Sequence, residues 1–306
     1  MNKGLTLTMI FQANSLNYGE GMGNISELKK FSRGNGQMYT FASRQSLRYD
    51  IVRLGHELFN WNLQTVSNDE GTIQFKKDAT IEDSEEMDLF GYMKTVKGKS
   101  ALTREAVVRV TPAISLEPYK SDMDFLNNMG MAQRIGESNN LANIEQHHSL
   151  YTYTVTIDLS KIGEDGPVSL SPDEKSKRVT QLLTILNLLN RRIRGRQENL
   201  SPLFIIGGIY AVCNPFFLGR IQIRPEHTGF ELDTSLLQDG LEKKFFVHEI
   251  KHHTHIGMAS GVFNNEEDLS GMLPSKQVHS VQGMFDYLID KVKSYYLVDE
   301  YEGTTN

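Results

Sequence analysis

At 306 residues, with 39% apolar and 23% charged side chains, the chain has a soluble composition and enough length to bury a large core as one elaborated domain or two. No apolar run could span a bilayer, the opening MNKG does not resemble a signal peptide, and the lone Cys213 excludes an intrachain disulfide. A cytoplasmic setting with no membrane partner is therefore expected. The net charge of −6 argues against a polyanion partner until its distribution is considered. Residues 1–53 carry seven basic and three acidic groups, residues 175–196 carry seven basic groups and no acid, and acid gathers around IEDSEEMD. Two basic surfaces on an acidic body suit a local nucleic-acid track, against the plainer reading of solvated helix faces.

Leu5, Leu7, Met9 and Phe11 alternate with other residues and predict a strand. NSLNYGEGMGN follows, with Gly19, Gly21 and Gly23 free to take φ > 0 and to approach a ligand closely, or simply to form a turn. Their spacing is not the dinucleotide fingerprint G-x-G-x-x-G. FASRQSLRYDIVRLGHELF then reads as a helix capped by Ser43, with Leu47, Ile51, Leu54 and Leu58 on one face. Arg44 and Arg48, four apart near its start, join exposed N–H groups and the helix dipole in favouring an anion. A solvent-facing helix start with an intrahelical pair to Asp50 or Glu57 is the competing reading. Residues 62–86 read as an acidic loop or hairpin, and TREAVVRVTPAISLE as a strand broken at Pro112.

Residues 120–148 have weak periodicity and scattered large apolar groups, including Phe125, Leu126, Met129, Met131 and Ile135. So long a connection favours a projecting loop or hairpin over a short helix lying on the core. YTYTVTID predicts a strand, and SPDE at 171–174 a capping box opening a helix through Val179, Leu182, Leu183, Leu186 and Leu189 that stops at Gly195. LFIIGGIYAV reads as a buried strand, and the C-terminal LIDKVKSYYLVDEYEGTTN as an acidic, peripheral helix. Strands separated by two helices predict an α+β fold of ferredoxin-like or RNA-recognition-motif type.

His248, Glu249 and His252 spell H-E-x-x-H, which on a helix would place both imidazoles on one face for zinc, with Glu249 as base. That defines an alternative class, a zinc metallohydrolase. Strand formers in FFVHEI and the breaker-rich THIGMASG weigh against the helix it requires. His56 is a candidate general acid or base for an RNA-processing nuclease, but it lies far along the helix from the glycine loop.

Taken in order, SLNYGEGMGNISELKK, TFASRQSLRYDI, EEMDLFGYMK, VVRVTPAISLEPYKSDMDF and the strand after the second helix resemble the backbone subunit (Cas-seven type, DevR-like branch) of type I-B CRISPR Cascade surveillance complexes, over roughly residues 4–220. The resemblance implies an RNA-recognition-motif-like palm over 1–306, with a helical insertion, a β-hairpin thumb at about 120–148 and a variable acidic loop at about 62–86. It implies several copies lining a CRISPR RNA as a helical filament, with bases flipped out at intervals and the remainder pairing with a target DNA strand. Other implied partners are further Cascade subunits: the large subunit, a Cas-five-type cap subunit and a crRNA-processing endonuclease. Carried onto this chain, it puts Asn17, Ser43, Arg44, Gln45, Ser46 and Arg48 at the RNA backbone with Gly19, Gly21 and Gly23. Arg194 and Arg196 form a second contact near Gly207 and Gly208, and Phe125, Leu126, Met129 and Met131 form a wedge between bases. RNA-cleaving relatives use an Asp in the loop before the palm helix; residues 14–42 contain Glu20 and Glu27 but no Asp. Neither catalytic group nor cofactor is expected.

Overall fold

The computed structural model describes residues 3–69, 71–95, 100–225 and 229–302. Strand β1 (Gly4–Asn14) is buried along nearly its whole length because both of its faces are covered. Leu5, Leu7, Met9 and Phe11 enter one core and Ile10 the other. Two of its threonines tolerate burial through hydrogen bonds: Thr8 Oγ1 shares one of 2.9 Å with Thr154 Oγ1, and Thr6 Oγ1 donates to the Asn214 carbonyl. After β2 (Lys30–Ser32) and β3 (Met38–Ala42) comes helix α1 (Arg44–Phe59). It buries Leu47, Ile51 and Leu54 as its periodicity predicts, whereas Leu58 is exposed. The acidic stretch forms a hairpin of Val66–Asp69 with Thr72–Phe75 and then α2 (Glu85–Phe90). Pro112, unable to donate to a ladder, separates β4 (Val108–Val110) from β5 (Ala113–Ser115).

Between β5 and the long strand lies an excursion of β6 (Asp122–Asn127), α3 (Met129–Ile135) and β7 (Leu141–Gln146). It is a hairpin carrying a short helix at its end; only Ala132 of that helix is buried, so it does not lie on the core as the second alternative required. Strand β8 (His148–Asp158) leads to α4 (Pro172–Asn187), where Ser171 Oγ accepts from Glu174 N at 3.3 Å. The reciprocal half of the capping box is not made; the Glu174 carboxylate pairs with Lys177 and Arg178 instead. Helix α4 also ends well before Gly195, which lies in the turn between β9 (Asn190–Ile193) and β10 (Arg196–Asn199). β11 (Phe204–Tyr210), β12 (His255–Met258), β13 (Val278–His279) and helix α5 (Val281–Glu302) complete the frame.

The main sheet has the order β13-β12-β11-β1-β8-β5-β3-β2, with β4 also paired to β8. Its four middle strands, β11-β1-β8-β5, are mutually antiparallel neighbours. Helices α1, α4 and α5 cover one face: Leu47, Leu182 and Leu186 share a core with Met284, Phe285, Leu288 and Val292. The C-terminal helix is thus part of the principal core, contrary to the peripheral position read from its acidity. Its buried side chains follow a helical spacing that the charges between them obscure. On the opposite face Phe204 and Ile206 pack with Leu237, Phe263 and Leu269 from the chain beyond 230.

Candidate nucleic-acid interface

The chain leaving β1 folds back on itself as a small hairpin. Gly19 N donates to the Glu27 carbonyl at 2.8 Å, and Met22 and Ile25 exchange backbone hydrogen bonds of 2.9 and 3.1 Å. Gly23 takes φ +62° at the tip, and a Cβ on Gly21 would meet the Ile25 carbonyl oxygen. The turn therefore accounts for these two glycines without a ligand. Asn17 is buried beneath it, its Nδ2 donating to Ser43 Oγ at 3.1 Å and Ser46 Oγ at 3.4 Å. Ser43 caps α1 by accepting from Ser46 N at 3.2 Å. Asn17, Ser43 and Ser46 are thus one hydrogen-bonded unit, which leaves Arg44 and Gln45 exposed at the helix start.

Arg48 lies one turn further along and is not free. Its Nη2 and Nε donate to Glu86 Oε1 at 2.7 and 3.2 Å, and the guanidinium stands 5.3 Å from the centre of the Phe90 ring. The partner comes from α2, not from Asp50 or Glu57. Those two carboxylates hold the β9–β10 hairpin against α1: Arg191 Nη1 reaches Asp50 Oδ2 at 2.7 Å, and Arg192 grips Glu57 through both of its terminal nitrogens. Burial pushes the Asp50 carboxyl up from its ordinary value, against the pull of Arg191 and Arg53.

This anchoring fixes what the hairpin presents. Arg194 (φ +48°) and Gly195 (φ +75°) form its tight turn, both in the left-handed region that two-residue hairpin turns demand. The Arg194 guanidinium lies 4.2 Å from the centre of the Tyr18 ring. Arg196 stands 3.7 Å from Glu198, whose Oε2 is also taken by Asn14 N. Arg194, Arg196 and Tyr18 line a cavity of about 580 Å³ with Leu126, Ile144, Asp122, Asp124, Gln146 and His148. Gly207 and Gly208 are elsewhere, in the sheet, where a Cβ would collide with the carbonyls of Thr6 and His253. Close strand packing accounts for that pair.

The β6–α3–β7 excursion forms the other wall of the cavity. Every residue of β6 is exposed, with Phe125 at 58% and, on α3, Met131 at 68%. Leu126 and Met129 are exposed as well. At its base β7 pairs in parallel with Ile25–Ser26, joining the excursion to the glycine hairpin in one small sheet. Glu145 locks that joint: one carboxylate oxygen accepts from Leu28 N at 2.7 Å and the other from Lys30 Nζ.

The basic groups at the start of the second stretch are compensated. Lys175 pairs with Glu164, Lys177 with Glu174, and Arg178 with Glu174 and the fully buried Asp88. The second basic stretch thus narrows to the turn at Arg194 and Arg196. H-E-x-x-H does not form a helix: His248 and Glu249 make a two-residue strand, and the helix begins only at Ile250. Glu249 pairs with Lys244 and His252, and among the described residues no group of three or more His, Cys, Asp or Glu could hold a metal. His56 Nδ1 lies 2.9 Å from the Trp61 carbonyl at the far end of α1. Sequence reasoning did not single out Tyr18, Glu86 or Glu145, because their roles depend on partners distant in the chain. No described helix is long and apolar enough to cross a membrane.

These features define a mixed α+β protein with one large sheet, several helices and a hairpin with exposed apolar side chains beside an arginine-bearing turn. The chain belongs to the DevR/Csa2 family: the family described as "CRISPR-associated negative auto-regulator DevR/Csa2" matches residues 5–223. Among solved structures it resembles a chain described as "CRISPR RNA-guided surveillance complex, pre-nicking" at 11% identity and a TM-score of 0.60, covering 94% of this chain and 100% of that one. It also resembles one described as "CRISPR RNA-guided surveillance complex" at 12% identity and a TM-score of 0.58, covering 95% and 99%. At these identities the likeness is one of fold. No curated protein sequence matches the chain.

Proposed function

We propose that this chain is a non-catalytic subunit that binds CRISPR RNA as the repeating backbone of a type I-B surveillance complex, polymerising along the spacer and leaving its bases to pair with target DNA. Membership of a CRISPR-associated family and likeness in fold to chains of surveillance complexes support that reading. So does the sheet: the order β11-β1-β8-β5, with α1 and α4 against one face, is that expected of an RNA-recognition-motif-like palm. Residues 1–306 then form one elaborated palm, with the excursion at about 120–148 as its thumb and 62–86 as a variable acidic loop. Its partners are the guide, further copies of itself and the other Cascade subunits.

The observation that carries the proposal is the rigid turn that sets Arg194 on Tyr18 across a cavity from a hairpin presenting Leu126 and Ile144 beside Asp122 and Asp124. Cations on a fixed turn suit phosphates, and an aromatic face suits a base lifted from its stack. Asn17, Ser43 and Ser46 shape the helix start from which Arg44 and Gln45 reach the strand. The hairpin that Gly21 and Gly23 shape, with Gly19 at its base, borders the strand, and Phe125, Leu126, Met129 and Met131 separate its bases.

Arg194→Ala combined with Arg196→Ala should weaken binding of a mature CRISPR RNA and lower the slope of log affinity against log salt by up to about 1.4, at about 0.7 per phosphate contact on a single strand. An unchanged slope in a salt titration by fluorescence anisotropy would sink the assignment.

A further inference from the structure

The start of α1 carries two arginines one turn apart in very different circumstances. Arg44 is exposed and has no ion-pair partner among the described residues. Arg48 is half-buried, with two of its nitrogens on a single oxygen of Glu86 and its plane near the Phe90 ring. Glu86 does not sit on a wandering loop. Ser84 caps α2 by accepting from Met87 N at 3.2 Å. Two residues beyond Glu86, the buried Asp88 accepts from Arg104 Nη2 at 2.7 Å, Arg178 Nη1 at 3.0 Å and Gly163 N at 2.9 Å. A cap within α2 and three bonds from the core to Asp88 thus hold one carboxylate over one guanidinium.

We infer that Glu86 is a built-in competitor for the phosphate site on α1, occupying the Arg48 fork until a nucleic-acid phosphate displaces it. This rests on the reading of α1 as an RNA-backbone contact. The pair is suited to exchange. Both side chains keep access to solvent, so their attraction is screened. The Arg48 nitrogens share one carboxylate oxygen, where a phosphate could offer two. Phe90 keeps the guanidinium plane in place whichever anion it holds. The free subunit therefore offers a diffuse polyanion one cation fewer, and Arg48 contributes fully only to a strand already seated by Arg44 and the Arg194 turn. Glu86 is in this sense a selectivity residue, acting on the ligand through Arg48.

The test is a salt-titrated binding series with oligouridylate on four proteins: parent, E86Q, R48A, and E86Q with R48A. Gln keeps the size of Glu86 and leaves Glu85 and Asp88 in the first turn of α2. The expected result is that E86Q binds about 2- to 5-fold more tightly at low salt, the factor that matches a solvent-screened ion pair, with a salt slope steeper by about 0.7. R48A should abolish that gain. A gain that persists in the R48A background would reduce Glu86 to a general surface charge and overturn the inference. Unchanged or weaker binding by E86Q would overturn it too. If the parent shows no salt-dependent binding, the reading of the site falls and the inference with it.

Discussion

Ser43 performs two tasks with one hydroxyl. It accepts from Ser46 N to start α1 and from Asn17 Nδ2 to tie that start to the end of β1. Ser43→Ala should therefore cost more than an exposed cap, on the order of 1–2 kcal/mol, visible as a lower midpoint in urea unfolding with an unchanged slope. The cap was legible in the sequence from its place before an apolar helical period. The tie to Asn17 was not, since nothing local links residues so far apart. The same holds for Arg48: its spacing from Arg44 announced an anion site, but the anion in place is Glu86, supplied by a separate helix. Charge counting along the chain finds cations; only the fold reveals which of them are already neutralised.

Among the elements, the β6–α3–β7 excursion is the one whose surface departs most from ordinary burial. Phe125, Met129 and Met131 stand in solvent, so replacing Phe125 and Met131 with Ser removes little from the core. Such a variant should keep the parental unfolding temperature while failing to form ordered assemblies with a guide. Parental particle lengths by mass photometry would refute that role. Its base behaves differently. Glu145→Ala would leave Leu28 N without its acceptor and Lys30 without its closest counter-charge, at a cost of about 2–4 kcal/mol. The sequence announced the excursion through its length and lack of period, and Pro112 announced the break before it. Its docking on Ile25–Ser26 depends on a parallel pairing of only two residue positions, too short to leave a pattern. Gly195 was misassigned for a related reason: a glycine after a helical run suits a cap, but here α4 stops at Asn187 and the β9–β10 hairpin intervenes.

Across the whole molecule the sheet is a partition between two cores, and this explains why β1 alternates in sequence yet is buried on both sides. The first core is closed by α5, whose Tyr296 hydroxyl also donates to the Leu159 carbonyl at 2.7 Å. Ending the chain at Ser280 should expose the apolar faces of α1 and α4 and yield insoluble or molten protein, judged by near-ultraviolet circular dichroism and dye binding. At the sheet edge, His255 Nδ1 lies 2.9 Å from His279 Nε2, and both rings stack with Tyr287. Burial, followed by His279, Lys291 and His253, lowers the His255 pKa from 6.5 to about 4. The unfolded chain thus binds this proton more readily than the folded one. Stability should fall as pH drops from about 6.5 towards 4, and His255→Gln should flatten that decline in thermal melts taken across the range. The α+β class was legible from the order of strands and helices. The second core was not, because its short elements beyond residue 230 carry too few apolar repeats to declare a face.

The two residue pairs that join Asn143–Ile144 to Ile25–Ser26 make a lever of what would otherwise be two separate protrusions. In the filament proposed above, a neighbour that grasped the far end near Met131 would pull, through those pairs and Glu145, on the strand that returns to Tyr18. Under that proposal, engagement at the tip would be felt beside Arg194, and amide protection in the two arms should rise together when either is engaged.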